Sequence, residues 1–224
     1  MAVGKSRIFL LSPASSSGKR ASLLFNARAD FTLAQRVRSE SGAPLGEVFG
    51  FLSGLYFRGK LTYARAFENP PSAITSGIHI ITPSDGLCSP DLMVSLEDLE
   101  AFAGVPIDVD ESRYRVPLER NVVALAEQLG PESEVVLLGS VATGKYVDVL
   151  QPILGDRLLF PQEFLGHGDM ARGAMMLKRA SAGVELTYIP VSDPCASRLV
   201  QGKQVAVSDP LANRLTARGC PRPA

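Results

Sequence analysis

Short apolar runs, each closed by a polar turn and separated by stretches of helical period, recur along the sequence. Ile8-Phe9-Leu10-Leu11 is closed by Ser12-Pro13, and Ile78-His79-Ile80-Ile81-Thr82 by Pro83-Ser84-Asp85-Gly86. Val135-Val136-Leu137-Leu138 is closed by Gly139-Ser140, and Arg157-Leu158-Leu159-Phe160 by Pro161. A strand that is apolar without alternation is buried on both faces, which is how strands of a parallel sheet read. Residues 184–191 read as a last strand. Between these runs the spacing predicts a helix over 31–40 and a long helical region over 45–67 that divides near Ser53-Gly54. Further helices are expected after the cap at Ser95, over 141–150 and over 169–181. Another opens at Pro117, with Leu118, Val122, Leu125 and Leu129 at i, i+4, i+7 and i+11. Alternating strands and helices predict an α/β fold: a mostly parallel four- to five-stranded sheet with helices on both faces, in a single domain over residues 1–191. Residues 192–224 carry scattered Pro, Gly, Arg and Ser with no lasting period and read as a disordered or loosely packed C-terminal tail.

The chain's 224 residues, 46% of them hydrophobic, suffice for one substantial core. The net charge is zero but unevenly spread. Residues 1–65 hold ten Lys/Arg against three Asp/Glu, residues 66–164 five against sixteen, and residues 165–224 eight against four. A basic first third can receive an anion or a nucleic-acid backbone, or it can pair with the acidic middle across the fold. Cys88, Cys195 and Cys220 are far apart, with neither disulfide-framework nor zinc spacing, and no cofactor motif or metal-ligand set stands out. The apolar run near the N-terminus is only Ile8 to Leu11, too short for a signal peptide, and no stretch approaches a membrane span. A cytoplasmic protein without membrane partners is expected.

In open α/β sheets, ligands bind beyond the carboxyl ends of strands, near a switch in strand order. That rule selects four turns. Ser12 to Arg20 offers backbone N–H groups at Ser15, Ser16, Ser17 and Gly18 and charge at Lys19 and Arg20, a combination able to hold a phosphate or carboxylate or simply to form a surface turn. It is not a Walker A loop, which needs Gly where Pro13 stands and Ser/Thr where Arg20 stands. Asp85 in the second turn can activate water or cap its own backbone. Gly139-Ser140 is expected to open a helix, with Ser140 either its cap or part of an anion site; it is no nucleophile elbow, because Leu138 and Ala142 occupy the required glycine positions. Gly166-His167-Gly168-Asp169 sets a His beside an Asp that serves as a helix cap or a catalytic acid. Finally, Tyr56, Arg58, Lys60, Tyr63 and Arg65 mix aromatics with cations, as base-stacking surfaces do and as core stripes also do.

The segments Ile8 to Arg20, Phe51 to Phe67, Ile80 to Asp91, Val135 to Val147 and Phe160 to Gly173 resemble a group of uncharacterised bacterial proteins. The layout is also similar to domains of unknown function related to the peroxide stress protein YaaA, and to the uracil-DNA-glycosylase-like domain of archaeosine synthase. The shared features are an opening strand that ends in a Ser-containing loop and a Gly-Leu-x-x-Pro turn, matched by Gly86-Leu87 and Pro90. The resemblance implies a base- or nucleic-acid-binding α/β fold, although the water-activating and His-Pro-Ser motifs of uracil-DNA glycosylases are not evident. Two functional expectations follow. One is a nucleotide- or nucleic-acid-binding protein that uses Lys19, Arg20, Arg58, Lys60 and Arg65 for charge. The other is an enzyme acting on an N-glycosidic bond or modified base, with Asp85 or Asp169 activating water and Ser12, Ser140 and the Ser15–Gly18 backbone holding the substrate. A protein-interaction module built on the helix around 55–67 is a third.

Overall fold

The computed structural model describes residues 5–192. In chain order the elements are β1 (Arg7–Leu11), α1 (Lys19–Phe25), α2 (Thr32–Arg38), β2 (Ala43–Pro44), α3 (Leu45–Ser53), α4 (Leu55–Phe67), β3 (Ile78–Ile81), β4 (Leu87–Cys88), β5 (Met93–Val94), α5 (Leu96–Ala103), α6 (Ser112–Gln128), β6 (Glu134–Leu138), α7 (Val147–Leu154), β7 (Leu158–Pro161), α8 (Asp169–Ala182) and β8 (Tyr188–Pro190). Six strands form one sheet in the order β4-β3-β1-β6-β7-β8, and β2 pairs with β5 in a two-stranded antiparallel ribbon. The main sheet has one more strand than the upper sequence expectation. The extra strand is β4, two residues that fold back antiparallel on β3 and are too short to show a period.

The four inner strands, β3, β1, β6 and β7, are parallel, and both edges are antiparallel. Continuous apolar runs fit this arrangement because both faces are covered. Phe9, Leu11, Val136 and Leu138 pack under α1–α5 and α8. Ile8, Leu10, Val135 and Leu137 pack under α6 and α7. From β1 the chain passes to β3 on one side and later returns to β6 on the other. Strand order therefore reverses at β1, and the turns leaving β1 and β6 lead to opposite faces.

Three local expectations are corrected. The helix expected at 141–150 begins only at Val147, because Gly144 adopts a positive φ of 67° that no helix residue takes. Ser140 therefore caps no helix, and its Oγ accepts from the Ala142 N–H within the loop. The helix expected to open at Pro117 opens at Ser112, where the Glu111 carboxylate accepts from the Arg113 N–H; Pro117 lies inside it. The last strand is confined to Tyr188–Pro190, antiparallel on β7. The division of the 45–67 region at Gly54, with φ of 65°, is observed, as is the Ser95 cap, completed by Asp98 as a capping box. No helix among the described residues is long and apolar enough to cross a membrane. The expected tail beyond residue 192, with Cys195 and Cys220, lies outside the described residues.

Candidate functional site

A cavity of about 550 Å³ opens at the carboxyl end of β1. That is ample for a small-molecule ligand. Ser12, Ser15, Ser16 and Ser17 form one wall, Tyr56 stands opposite on α4, and Ser140, Lys145 and Tyr146 come from the loop after β6. Asp169 joins from the start of α8, and Pro83 from the turn after β3. Phe102, Val105 and Ile107 supply an apolar flank at the end of α5. Three of the four strand-end turns thus contribute side chains to one space through Ser12–Ser17, Pro83 and Ser140, and the loop that follows β7 reaches it at Asp169.

Two residues lining this cavity carry buried hydroxyls that make no close hydrogen bond among the described residues, although the Arg172 guanidinium lies beside that of Tyr56. The hydroxyls are Ser16 Oγ, on a residue 7% exposed, and Tyr56 OH, on a residue 8% exposed. A buried hydroxyl without a partner costs about 1–3 kcal/mol relative to one that is satisfied. Burial pushes the Tyr56 phenol pKa up, and Arg172 pulls it down through its charge and a weak hydrogen bond. The Arg172 guanidinium is itself held by the Phe164 carbonyl, which it meets through Nε and Nη2 at 3.1 and 2.9 Å. The Tyr146 phenol is also raised, chiefly by burial, with Tyr56 and Asp169 adding to the shift.

Under the serine turn lies Lys60, 1% exposed. Its Nζ donates to the Ser12 carbonyl at 2.5 Å and lies 2.9 Å from Ser12 Oγ. Desolvation lowers its pKa to about 7, against an opposing pull from Asp169. Lys60 therefore supplies no surface charge, which corrects the expectation that it contacts a phosphate backbone.

The remaining candidates fall elsewhere. Gly18, Lys19 and Arg20 are exposed and do not line the cavity; Arg20 instead donates to the Phe51 carbonyl beside Gly54. Arg58 and Arg65 line a separate open groove with Phe31 and Phe51, where Arg65 pairs with Asp91. Gly139 and His167 line a smaller cavity of about 270 Å³ on the other side of the 140–142 loop. Asp85 is exposed in a self-contained turn: Thr82 Oγ1 accepts from its N–H, and Ser84 Oγ donates to its carboxylate. α4 buries Tyr56, Phe57, Tyr63 and Ala64, so most of its apolar surface is not free for a protein partner. Among the described residues, no group of three or more His, Cys, Asp or Glu is placed to hold a metal.

Sequence reasoning missed Lys145, Tyr146 and the 102–107 flank. The first two lie in what reads as a helix, and nothing local ties the flank to β1. Comparison with protein-family models, curated proteins and solved structures finds no match.

Proposed function

We propose that this protein binds a nucleotide in the cavity at the carboxyl end of β1. The observation that carries the reading is the pair of buried hydroxyls without a close partner, Ser16 Oγ and Tyr56 OH, on residues that line one ligand-sized space at the strand-order reversal. Aromatic side chains at Tyr56, Tyr146 and Phe102 suit a planar base. The serine turn and Lys145 suit a sugar or phosphate, and the Asp169 carboxylate suits ribose hydroxyls or a base amine. A mononucleotide fits better than a nucleic-acid strand, because the arginines expected to track a backbone are dispersed: Arg20 on its own backbone contact, Arg58 and Arg65 in another groove. A panel of nucleoside monophosphates, nucleosides and inorganic phosphate followed by thermal shift tests this. At least one nucleotide is expected to raise the melting temperature, and Ser16→Ala with Tyr56→Phe to cancel the rise. No shift with any nucleotide contradicts it.

A second reading is hydrolysis of an N-glycosidic bond. It is favoured by one observation: Asp169 is the sole carboxylate among the described residues lining the cavity. Asp85, exposed in its own turn, does not line this cavity. Base release from nucleosides that is lost in Asp169→Asn supports the reading, and release that survives it does not.

A further inference from the structure

Ser12, in the cavity wall, and Lys60, buried behind it, form a pair that ligand binding alone does not use. Lys60 has no ion pair among the described residues, and its neighbours are the Ser12 carbonyl and hydroxyl and the rings of Tyr56 and Phe57, 4.6 and 4.9 Å from Nζ. A buried ammonium has three protons to place and little hydration. A neutral amine is satisfied by the same surroundings. As an ammonium, Nζ donates to Ser12 Oγ, which in turn donates to the Leu138 carbonyl; as an amine it keeps one N–H on the Ser12 carbonyl and one over a ring, and its lone pair can accept the Ser12 O–H once that hydroxyl turns from Leu138. Ser12 lines the cavity, and the competing acceptor of its hydroxyl, the Leu138 carbonyl, is farther away at 3.3 Å. Gly139 keeps the space beside Ser12 clear, since a Cβ there would stand 2.9 Å from Ser12 Cβ.

From this geometry we propose that Ser12 is a nucleophile and Lys60 its general base, acting on an ester or thioester carbonyl brought into the cavity. Lys60 Nζ takes the Ser12 proton while the Oγ–C bond forms and the carbonyl π pair moves to oxygen. Collapse restores the C=O and breaks the bond to the alkoxide or thiolate, which receives the proton back from Lys60. Water, deprotonated by the same amine, then cleaves acyl-Ser12 to the carboxylic acid and regenerates the hydroxyl. The partnerless Ser16 hydroxyl, in the same turn, is a donor of the kind a developing oxyanion needs. Phosphoryl transfer fits less well because it calls for clustered cations. The cavity wall offers Lys145 alone, set against Asp169.

The proposal rests on the cavity's taking a ligand, not on that ligand's being a nucleotide. p-Nitrophenyl acetate and a fluorophosphonate test it, with intact mass and peptide mapping as readouts. One adduct on Ser12 is expected, forming at a rate that rises with pH and levels off above about 7. The other groups around the amine are Tyr56 on α4, Asp169 on α8, Arg172 beside the Tyr56 phenol, and Tyr146, coupled to both Tyr56 and Asp169. Ser12→Ala abolishes the adduct, and Lys60→Met, which keeps apolar bulk in a buried site, slows it by about a hundredfold. Should Lys60→Met fail to fold, the pH profile of the unaltered protein decides. Labelling that persists in Ser12→Ala, a rate independent of pH, or no adduct at all overturns the proposal. If nucleotides fail to bind, Ser12 labelling is expected unchanged; if they bind, they slow it.

Discussion

Tyr56 and Lys60 each carry a polar atom into a buried setting, and the consequences can be measured separately. Because Tyr56 OH makes no close hydrogen bond and has only the Arg172 guanidinium beside it, Tyr56→Phe is expected to leave the melting temperature equal or higher. If the proposed nucleotide takes up this hydroxyl, the same change removes a hydrogen bond of about 1 kcal/mol and is expected to weaken affinity roughly fivefold. Thermal melts and titrations on one variant read both signs, and a clear fall in melting temperature without ligand speaks against a hydroxyl without a close partner. For Lys60, the folded pKa of about 7 lies below the unfolded 10.5, so between those values the unfolded chain binds more protons. Stability therefore rises with pH from about 7, by at most about 1.4 kcal/mol per pH unit. The useful window is pH 7 to 9, below the range in which the unfolded tyrosines ionise. Denaturant melts across it are expected to show the rise, and Lys60→Met to remove it. The sequence does encode this burial, since Tyr56, Lys60, Tyr63 and Phe67 fall at i, i+4, i+7 and i+11. The amine's partner is not legible, because Ser12 is 48 positions away.

Helices and turns were legible where local chemistry decides them and illegible where a distant contact or a glycine conformation does. The Ser95–Asp98 capping box and the break at Gly54 are local signals, and both are observed. Ser95→Ala is expected to cost about 1 kcal/mol, read as a fall of about 2–4 °C in melting temperature for a domain of this size. The late start of α7 turns on Gly144, whose positive φ no apolar period reveals. That late start leaves residues 139–146 as a loop and so places Lys145 and Tyr146 in the cavity wall. The packing of α4 on α8 was equally hidden. A Cβ on Gly59 would stand 2.6 Å from the Gly173 carbonyl oxygen, and one on Gly173 would stand 2.9 Å from the Leu55 carbonyl oxygen. Alanine normally gains about 1 kcal/mol over glycine within a helix, but a backbone clash of this kind costs about 1–3 kcal/mol. The clash is expected to prevail, so Gly59→Ala lowers the melting temperature. It also displaces Tyr56 and Lys60 from Asp169 and weakens ligand binding. A Gly59→Ala protein at least as stable as the original contradicts the close helix contact.

Across the whole molecule, the reversal of strand order at β1 brings the serine turn and the 140–146 loop together, and α8 adds Asp169. Short apolar runs closed by polar turns made that sheet and the edge where its turns gather foreseeable. Which residues of each turn point into the cavity was not, because that depends on the path of each loop. The uneven charge resolves in part through pairing between regions: Lys5 and Arg7 with Glu134, Arg7 also with Glu185, and Arg65 with Asp91. With Lys145 as the one solvent-reachable cation in the described cavity wall, mononucleotide affinity is expected to vary weakly with salt, with a log–log slope of magnitude about 1 or less. A slope of several units would instead indicate a nucleic-acid strand on the arginine-bearing groove. The most direct test of the cavity is a backbone amide NMR titration of the full chain with a nucleoside monophosphate. Shifts are expected at residues 12–17 and 140–146 and around Asp169, saturating at one ligand per chain. Shifts gathered around Phe31, Phe51 and Arg58, or none at all, would show that this cavity is not where a nucleotide binds.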